Sequence, residues 1–148
     1  MGNPYTWLKF VHILGVAVFL FSHGVTGGVS FLLHGPVTST TRGLLRASMV
    51  SSQAAYPVLL LVLITGVWMT FVGSWGHQVW PWAALVILLL SLGAMAALAR
   101  PYYMARDAAK GPDDAVAAQL SRTRPQVAAG IGVVALLLLF WLMVFKPF

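Results

Sequence analysis

The sequence predicts an all-α membrane protein, built as a bundle of four transmembrane helices. The chain has 148 residues, of which 59% are hydrophobic and only 8% are charged, and its mean hydropathy is +0.86. Three long stretches, 10–41, 47–99 and 125–145, contain no Asp, Glu, Lys or Arg. A membrane span needs about 20 apolar residues, and a backbone in lipid must satisfy its own hydrogen bonds, which favours helices.

The three stretches hold four helices, because the middle stretch is long enough for two. The segment 73–78, which is rich in glycine and polar residues, divides it shortly before Pro81. We therefore expect one membrane domain, 1–148, with helices at 5–33, 44–72, 80–99 and 126–145. The first stretch is too long and too weakly basic at its start for a removable signal peptide.

The distribution of basic residues predicts the orientation of the bundle. The net charge is +6, and seven of the nine Lys and Arg residues fall in the first connection or in the loop 100–125. Only Lys9 and Lys146 lie on the opposite side. The positive-inside rule then places both termini on the outer side of a bacterial cytoplasmic membrane. Because the basic residues are dispersed at helix ends, binding to nucleic acid is not expected.

The two longer loops carry different signals. The loop 72–79 is uncharged, and six tryptophans lie at or near the outer helix ends: Trp7, Trp68, Trp75, Trp80, Trp82 and Trp141. Such residues form an aromatic belt at the lipid headgroups or mark a surface for another membrane subunit or a second copy. The loop 100–125 holds every acidic residue, and we expect a short cytoplasmic helix at 115–124 within a solvated connector.

Several classes of site are excluded by what the sequence lacks. There is no cysteine, so disulfides and thiolate-bound metals are impossible within this chain. No expected span contains a carboxylate, which leaves an Asp/Glu proton relay unsupported. Motifs of a nucleotide-binding loop, a zinc protease or a serine hydrolase are also missing. Chemistry would therefore depend on a cofactor, and a subunit or electron carrier is favoured over a stand-alone enzyme.

Three histidines, His12, His23 and His34, follow one another along the first helix at intervals of eleven residues. Eleven residues make nearly three turns, so successive side chains drift by only about 20° and rise by roughly 16 Å. Neutral imidazole is a common axial ligand of haem. His12 and His23 are therefore candidate ligands of haem b, whereas His34 lies at the expected cytoplasmic boundary. The alternative is helix packing, because Gly24 and Gly28 form a small-residue crossing motif.

A haem with two protein ligands needs a second residue, and no other expected helix carries a histidine. The candidates are a histidine in the outer loop and three methionines: His77, Met69, Met95 and Met143. By topology, Met69, His77 and Met143 share the outer half of the membrane with His12, and Met95 is nearest in depth to His23. Otherwise another subunit would have to supply the ligand.

The second expected helix has a polar face beside a proline. Arg46, Met49, Gln53 and Tyr56 follow one another in steps of three and four residues, and Pro57 removes one backbone hydrogen bond. This face could hold a quinone head or a haem propionate, with Arg46 as the charge partner. The alternative is that these groups satisfy one another and the carbonyl that the proline frees.

Short motifs are spread over most of the chain. Leu8-Lys9-x-x-His12 opens it, Thr65-Gly66 and Arg100-Pro101 follow, and Met143-Val144-Phe145-Lys146-Pro147 closes it. In these motifs the chain resembles a family of small integral membrane proteins. That family is distantly similar to the copper-resistance D membrane domain and to the bacterial haem-b protoporphyrinogen oxidase. The resemblance implies that His12 is a haem ligand. It does not extend to the oxidase reaction, because the later histidine-bearing helix is missing.

Three functions remain open at this point. The first is a haem-b protein that moves electrons between quinone, or a partner, and an outer acceptor. The second is a cofactor-free accessory subunit of a larger membrane complex. The third is copper handling by His12 and His23 with methionines, because copper(I) accepts both ligand types. The methionines are scattered rather than clustered, which places copper third.

Overall fold

A computed structural model describes residues 3–33 and 35–147 and shows only helices in them. The helices are α1 (Pro4–Leu32), α2 (Ser39–Val72), α3 (Val79–Ala108), α4 (Asp113–Leu120) and α5 (Pro125–Phe145). Helices α1, α2, α3 and α5 are long and apolar enough to cross a membrane. The expected all-α architecture with four membrane helices is therefore confirmed, and the chain is described below as an integral membrane protein.

Two of the long helices extend beyond the expected bounds at the same end of the bundle. Helix α2 begins at Ser39 rather than at 44, because Thr38 and Thr41 form a reciprocal capping box. Helix α3 does not end at 99 but continues through Pro101 to Ala108. We call this end, where α4 lies, the α4 end, and the opposite one the terminal end.

The short helix in the third connection exists but begins earlier than expected. It spans Asp113–Leu120 rather than 115–124, with Asp113 and Asp114 in its first turn. These acids complement the positive N-terminal end of the helix dipole. Its last turn contains no basic residue, because the helix ends at Leu120, before Arg122 and Arg124.

The four long helices form two antiparallel pairs. Helix α1 packs along α2, and α3 packs against α5, whereas contacts between the pairs are fewer. A glycine permits close approach within each pair. A Cβ on Gly15 would lie 2.9 Å from Val62 Cγ2, and one on Gly132 would lie 2.9 Å from the Met95 methyl carbon.

The expected crossing motif of α1 does not make the α1–α2 contact. Beside Gly24 and Gly28, no atom of the described chain lies within 4 Å of the position that a Cβ would take. Both residues are exposed. The close approach lies at Gly15 instead, so the prediction that Gly24 and Gly28 pack helices together is wrong within this chain.

The two pairs are joined at the α4 end. Buried side chains from four helices form one cluster there: Val29, Leu33, Leu45, Tyr102, Ala105, Val116 and Leu120. Arg42 of α2 adds polar contacts to the α3–α4 connection. Its guanidinium donates to the carbonyls of Ala109 and Gly111 and forms an ion pair with Asp113.

A cation–π contact lies at the terminal end. Lys146 Nζ, just after α5, lies 4.1 Å from the centroid of the Trp75 ring and 5.7 Å from that of Trp80. The loop 72–79 is therefore partly covered by its own chain. The other four tryptophans are exposed, as an aromatic belt requires.

Candidate functional sites

His12 lies in the α1–α2 interface, where a hydrogen bond fixes its ring. The side chain is only 9% exposed, and its Nδ1 lies 3.0 Å from Thr65 Oγ1. Thr65 Oγ1 also lies 2.7 Å from the Leu61 carbonyl and 3.2 Å from that of Val62. The threonine has a single hydroxyl hydrogen, which it donates to one of these carbonyls. With the ring proton assigned to Nδ1, the tautomer that matches this acceptor, the threonine oxygen accepts from the Nδ1–H of His12.

This assignment determines what the other ring nitrogen can do. A neutral imidazole with its proton on Nδ1 has a free lone pair on Nε2. The hydrogen bond to Thr65 uses Nδ1, and the backbone of Val62 also contacts the ring. Metal-bound histidines are typically held in this way, with the second nitrogen donating to a fixed acceptor. In this tautomer the Nε2 atom of His12 is the ring nitrogen that a ligand role would use.

Gly66 leaves space for the imidazole ring of His12. A Cβ at this position would lie 3.1 Å from His12 Cε1, which is closer than most Cβ atoms approach a neighbour, and 3.6 Å from Nδ1. Thr65 and Gly66 together therefore orient and accommodate the imidazole. The sequence singled out this dipeptide only through the family resemblance, since a separation of 53 positions along the chain hides the contact of His12 with Thr65.

His23 has a different environment. It is half-buried and stacks on Phe19, with ring centroids 5.5 Å apart and an interplanar angle of 17°. Within the described chain it makes no hydrogen bond like that of His12. His34 lies outside the described residues.

The candidate second ligands are not gathered around either histidine. Met69 is one helical turn beyond Thr65, so it shares the α2 face that holds His12. His77 is exposed in the loop, Met95 packs on Gly132, and Met143 is exposed. No group of three or more His, Asp or Glu side chains in residues 3–33 and 35–147 could hold a metal ion.

A second polar region lies towards the α4 end, where hydroxyl groups link α1 to α2. Ser51 donates to the Ser22 carbonyl at 2.7 Å, and the hydroxyls of Thr26 and Ser52 are 3.3 Å apart. These contacts are made by Ser51 and Ser52, which lie beside the expected polar face of α2.

Arg106 of α3 reaches this region. Its Nη2 donates to Ser48 Oγ at 3.1 Å and to Ser52 Oγ at 3.0 Å. Its guanidinium carbon lies 4.9 Å and 5.2 Å from the ring centroids of Tyr102 and Tyr103. Arg46, the charge partner expected from the sequence, is exposed. The cation that the structure places against the polar face is therefore Arg106, which the sequence assigned to the loop because α3 was expected to end at 99.

Tyr56 and Gln53 complete this region on the α2 side. The hydroxyls of Tyr56 and Tyr103 are 2.8 Å apart. Gln53, Tyr56, Tyr103, Arg106 and neighbouring side chains line a cavity of about 300 Å³. The two regions lie at different levels of the bundle, so His12 and Arg106 belong to separate sites.

Comparison with known proteins adds no relative to this description. Protein families, curated proteins and solved structures were compared, and none matches the chain. The arguments for function therefore depend on the residues and contacts of the chain itself.

Proposed function

We propose that this chain is a haem-b-binding membrane protein that carries electrons within or beside a membrane redox complex. The observation that carries the proposal is the hydrogen bond from His12 Nδ1 to Thr65. It leaves Nε2 free in a nearly buried ring, as an axial ligand requires.

The residues around His12 have distinct roles in this proposal. Thr65 fixes the tautomer and the direction of the ring, and Gly66 provides the space in which the ring lies. Met69 is the candidate second ligand, because it shares the α2 face of Thr65. His23 is the candidate for a second haem deeper in the membrane. A bound haem b would supply a one-electron iron couple in a low-dielectric environment.

A second candidate function is a cofactor-free accessory subunit, and the same hydrogen bond favours it. The imidazole N–H is matched by an acceptor, so His12 can lock α1 onto α2 as a satisfied polar group in a membrane interface. A partner subunit could then cover the exposed apolar faces. The two candidate functions differ at Nε2 of His12, which would bind the haem iron in the first and no cofactor in the second.

The experiment that separates them is a reduced-minus-oxidised visible spectrum of gently purified protein, with haem measured as pyridine haemochrome. We expect a b-type α band in the wild-type protein, and loss of the His12-dependent haem in His12→Ala. His77→Ala tests another candidate ligand of the outer half, and we expect this variant to keep the haem because His77 is exposed in a loop. A protein that contains neither haem nor copper after purification from haem-supplied cells would support the accessory subunit instead.

Thr65→Val gives a second readout, since valine keeps the shape of threonine without its oxygen. If Thr65 orients a ligand, the variant retains haem but shifts its reduction potential or its α band, as loss of an outer-shell partner does. A variant that folds and shows an unchanged spectrum would contradict the role of Thr65 in positioning His12.

A further inference from the structure

The cavity beside Arg106 lies at the level of the membrane surface. Arg46 and Arg100 bound the charge-free stretch 47–99, so they mark the α4-end limit of the apolar region. Arg106 lies six residues beyond Arg100 along α3, or roughly 9 Å. Gln53 and Tyr56, which line the cavity, are exposed at the side of α2. The lining from α2 therefore lies inside the charge-free stretch and that from α3 lies beyond it, so the cavity opens sideways where apolar and charged surfaces meet.

Arg106 is a partly buried cation that has no acidic partner in the described chain. The ion pair between Arg42 and Asp113 is the one that the described residues form. Asp107 lines the same cavity but makes no ion pair with Arg106. The acceptors of Arg106 are the neutral hydroxyls of Ser48 and Ser52. A buried charge of this kind is stabilised when an opposite charge pairs with it.

The hydrogen bonds of the guanidinium are also incomplete. Nε of Arg106 is buried and has no hydrogen-bond partner in the described chain. A planar guanidinium with unused donors is the group that best recognises phosphate in proteins.

Neutral hydrogen-bond donors lie next to the guanidinium of Arg106. One hydroxyl of the Tyr56–Tyr103 pair donates to the other, which leaves one hydroxyl hydrogen without an acceptor. Gln53 adds an amide in the same lining, and Met49 and the tyrosine rings add apolar surface. A cavity of about 300 Å³ with a cation, neutral donors and apolar walls fits a phosphate group attached to an acyl chain.

We propose that this cavity binds the phosphate group of an anionic phospholipid, with Arg106 as the charge partner and Tyr56 and Gln53 as neutral donors. Basic pockets between membrane helices are a known type of site for such headgroups. A neutral quinone head would fit the donors but would leave the charge of Arg106 uncompensated. The site is separate from His12, so the proposal does not depend on haem.

The test measures lipid affinity by native mass spectrometry of the full chain, after titration with phosphatidylglycerol or phosphatidylcholine. We expect the wild type to prefer phosphatidylglycerol and Arg106→Gln to lose at least about tenfold in affinity for it. Arg122→Gln is the matched control, because Arg122 is exposed beyond α4 and should bind as the wild type does. Equal binding of phosphatidylglycerol by the wild type and Arg106→Gln would overturn the proposal.

Asp107→Asn tests the proposal even if Arg106→Gln does not fold. Removing the carboxylate from the cavity should raise the affinity for phosphatidylglycerol several-fold, because like-charge repulsion disappears. Unchanged or weaker binding by Asp107→Asn would contradict an anion site.

Two further measurements identify the ligand. Inorganic phosphate that competes with the lipid at equal concentration would overturn the lipid assignment in favour of a soluble phosphate. A quinone that is extracted from the wild type but not from Arg106→Gln would overturn it in favour of a quinone site.

Discussion

The His12 region and the Arg106 region use the same helix in opposite ways. At His12, α2 offers a threonine oxygen to a neutral ring, the ring N–H is matched, and the packing is close. At Arg106, α2 offers serine oxygens to a cation, a guanidinium N–H stays unmatched, and a cavity lies beside it. The hydrogen bond between His12 and Thr65 satisfies the first region on that side. In the second region, the proposed anion would supply the opposite charge that Arg106 lacks. The difference is that the polar residues of α2 support close packing at His12 and border an open cavity at Arg106.

The largest expected effect follows from enlarging a glycine in the α1–α2 interface. Gly15→Leu should destabilise the protein by about 1–3 kcal/mol, as overpacking does, because a Cβ there already lies 2.9 Å from Val62 Cγ2. The measurement is reversible unfolding in mixed detergent micelles. Gly24→Leu is the matched control on the same helix, since its Cβ meets no described atom within 4 Å. Equal losses for both variants would show that α1 and α2 do not meet at Gly15.

An intermediate effect is expected when the acceptor of His12 is removed. Thr65→Val leaves the buried Nδ1–H without a partner, which should cost about 1–2 kcal/mol. Thr70→Val provides the control, because Thr70 is also buried but bonds only to the Gly66 carbonyl of its own helix. If both variants unfold at the same detergent concentration, the interhelical hydrogen bond contributes nothing to stability.

The smallest effect should come from the serine that belongs to both helix interfaces. Ser52 contacts Thr26 of α1 and accepts from Arg106 of α3. Ser52→Ala should destabilise the protein by about 0.6 kcal/mol, the average for hydrogen bonds between membrane helices, and should also weaken binding of phosphatidylglycerol. Ser91→Ala is the control, because Ser91 bonds only to the Leu88 carbonyl of its own helix. An unaltered lipid affinity in Ser52→Ala would show that Ser52 does not contribute to the binding site.

The sequence predicted the four helices well because charge-free stretches leave a membrane chain few alternatives. It also predicted His12 as a site residue, but it did not indicate why His12 differs from His23. That reason lies in Thr65 and Gly66, which reach the ring only when α1 and α2 pack together. A spacing of eleven residues makes the histidines equivalent along α1, and only the facing helix distinguishes them.

Arg106 was not among the site residues that the sequence predicted. The reason differs from the one that hid Thr65 and Gly66. Arg100 and Pro101 indicate the end of a membrane helix, yet α3 continues to Ala108. This extra length carries Arg106 back against Ser48 and Ser52 of α2. The continuous run of residues compatible with a helix from Tyr102 to Ala108 is the signal that could have indicated it.

The pairing of α1 with α2 has a consequence for how the chain enters the membrane. These helices are consecutive, so every polar contact between them, including that of His12 with Thr65, can form once Val72 has been synthesised. The pair can therefore insert as a hairpin whose interior polar groups are already matched. The contacts of Arg106 with Ser48 and Ser52 can form only after the end of α3 has been synthesised. At that stage lipid headgroups already surround the inserted hairpin.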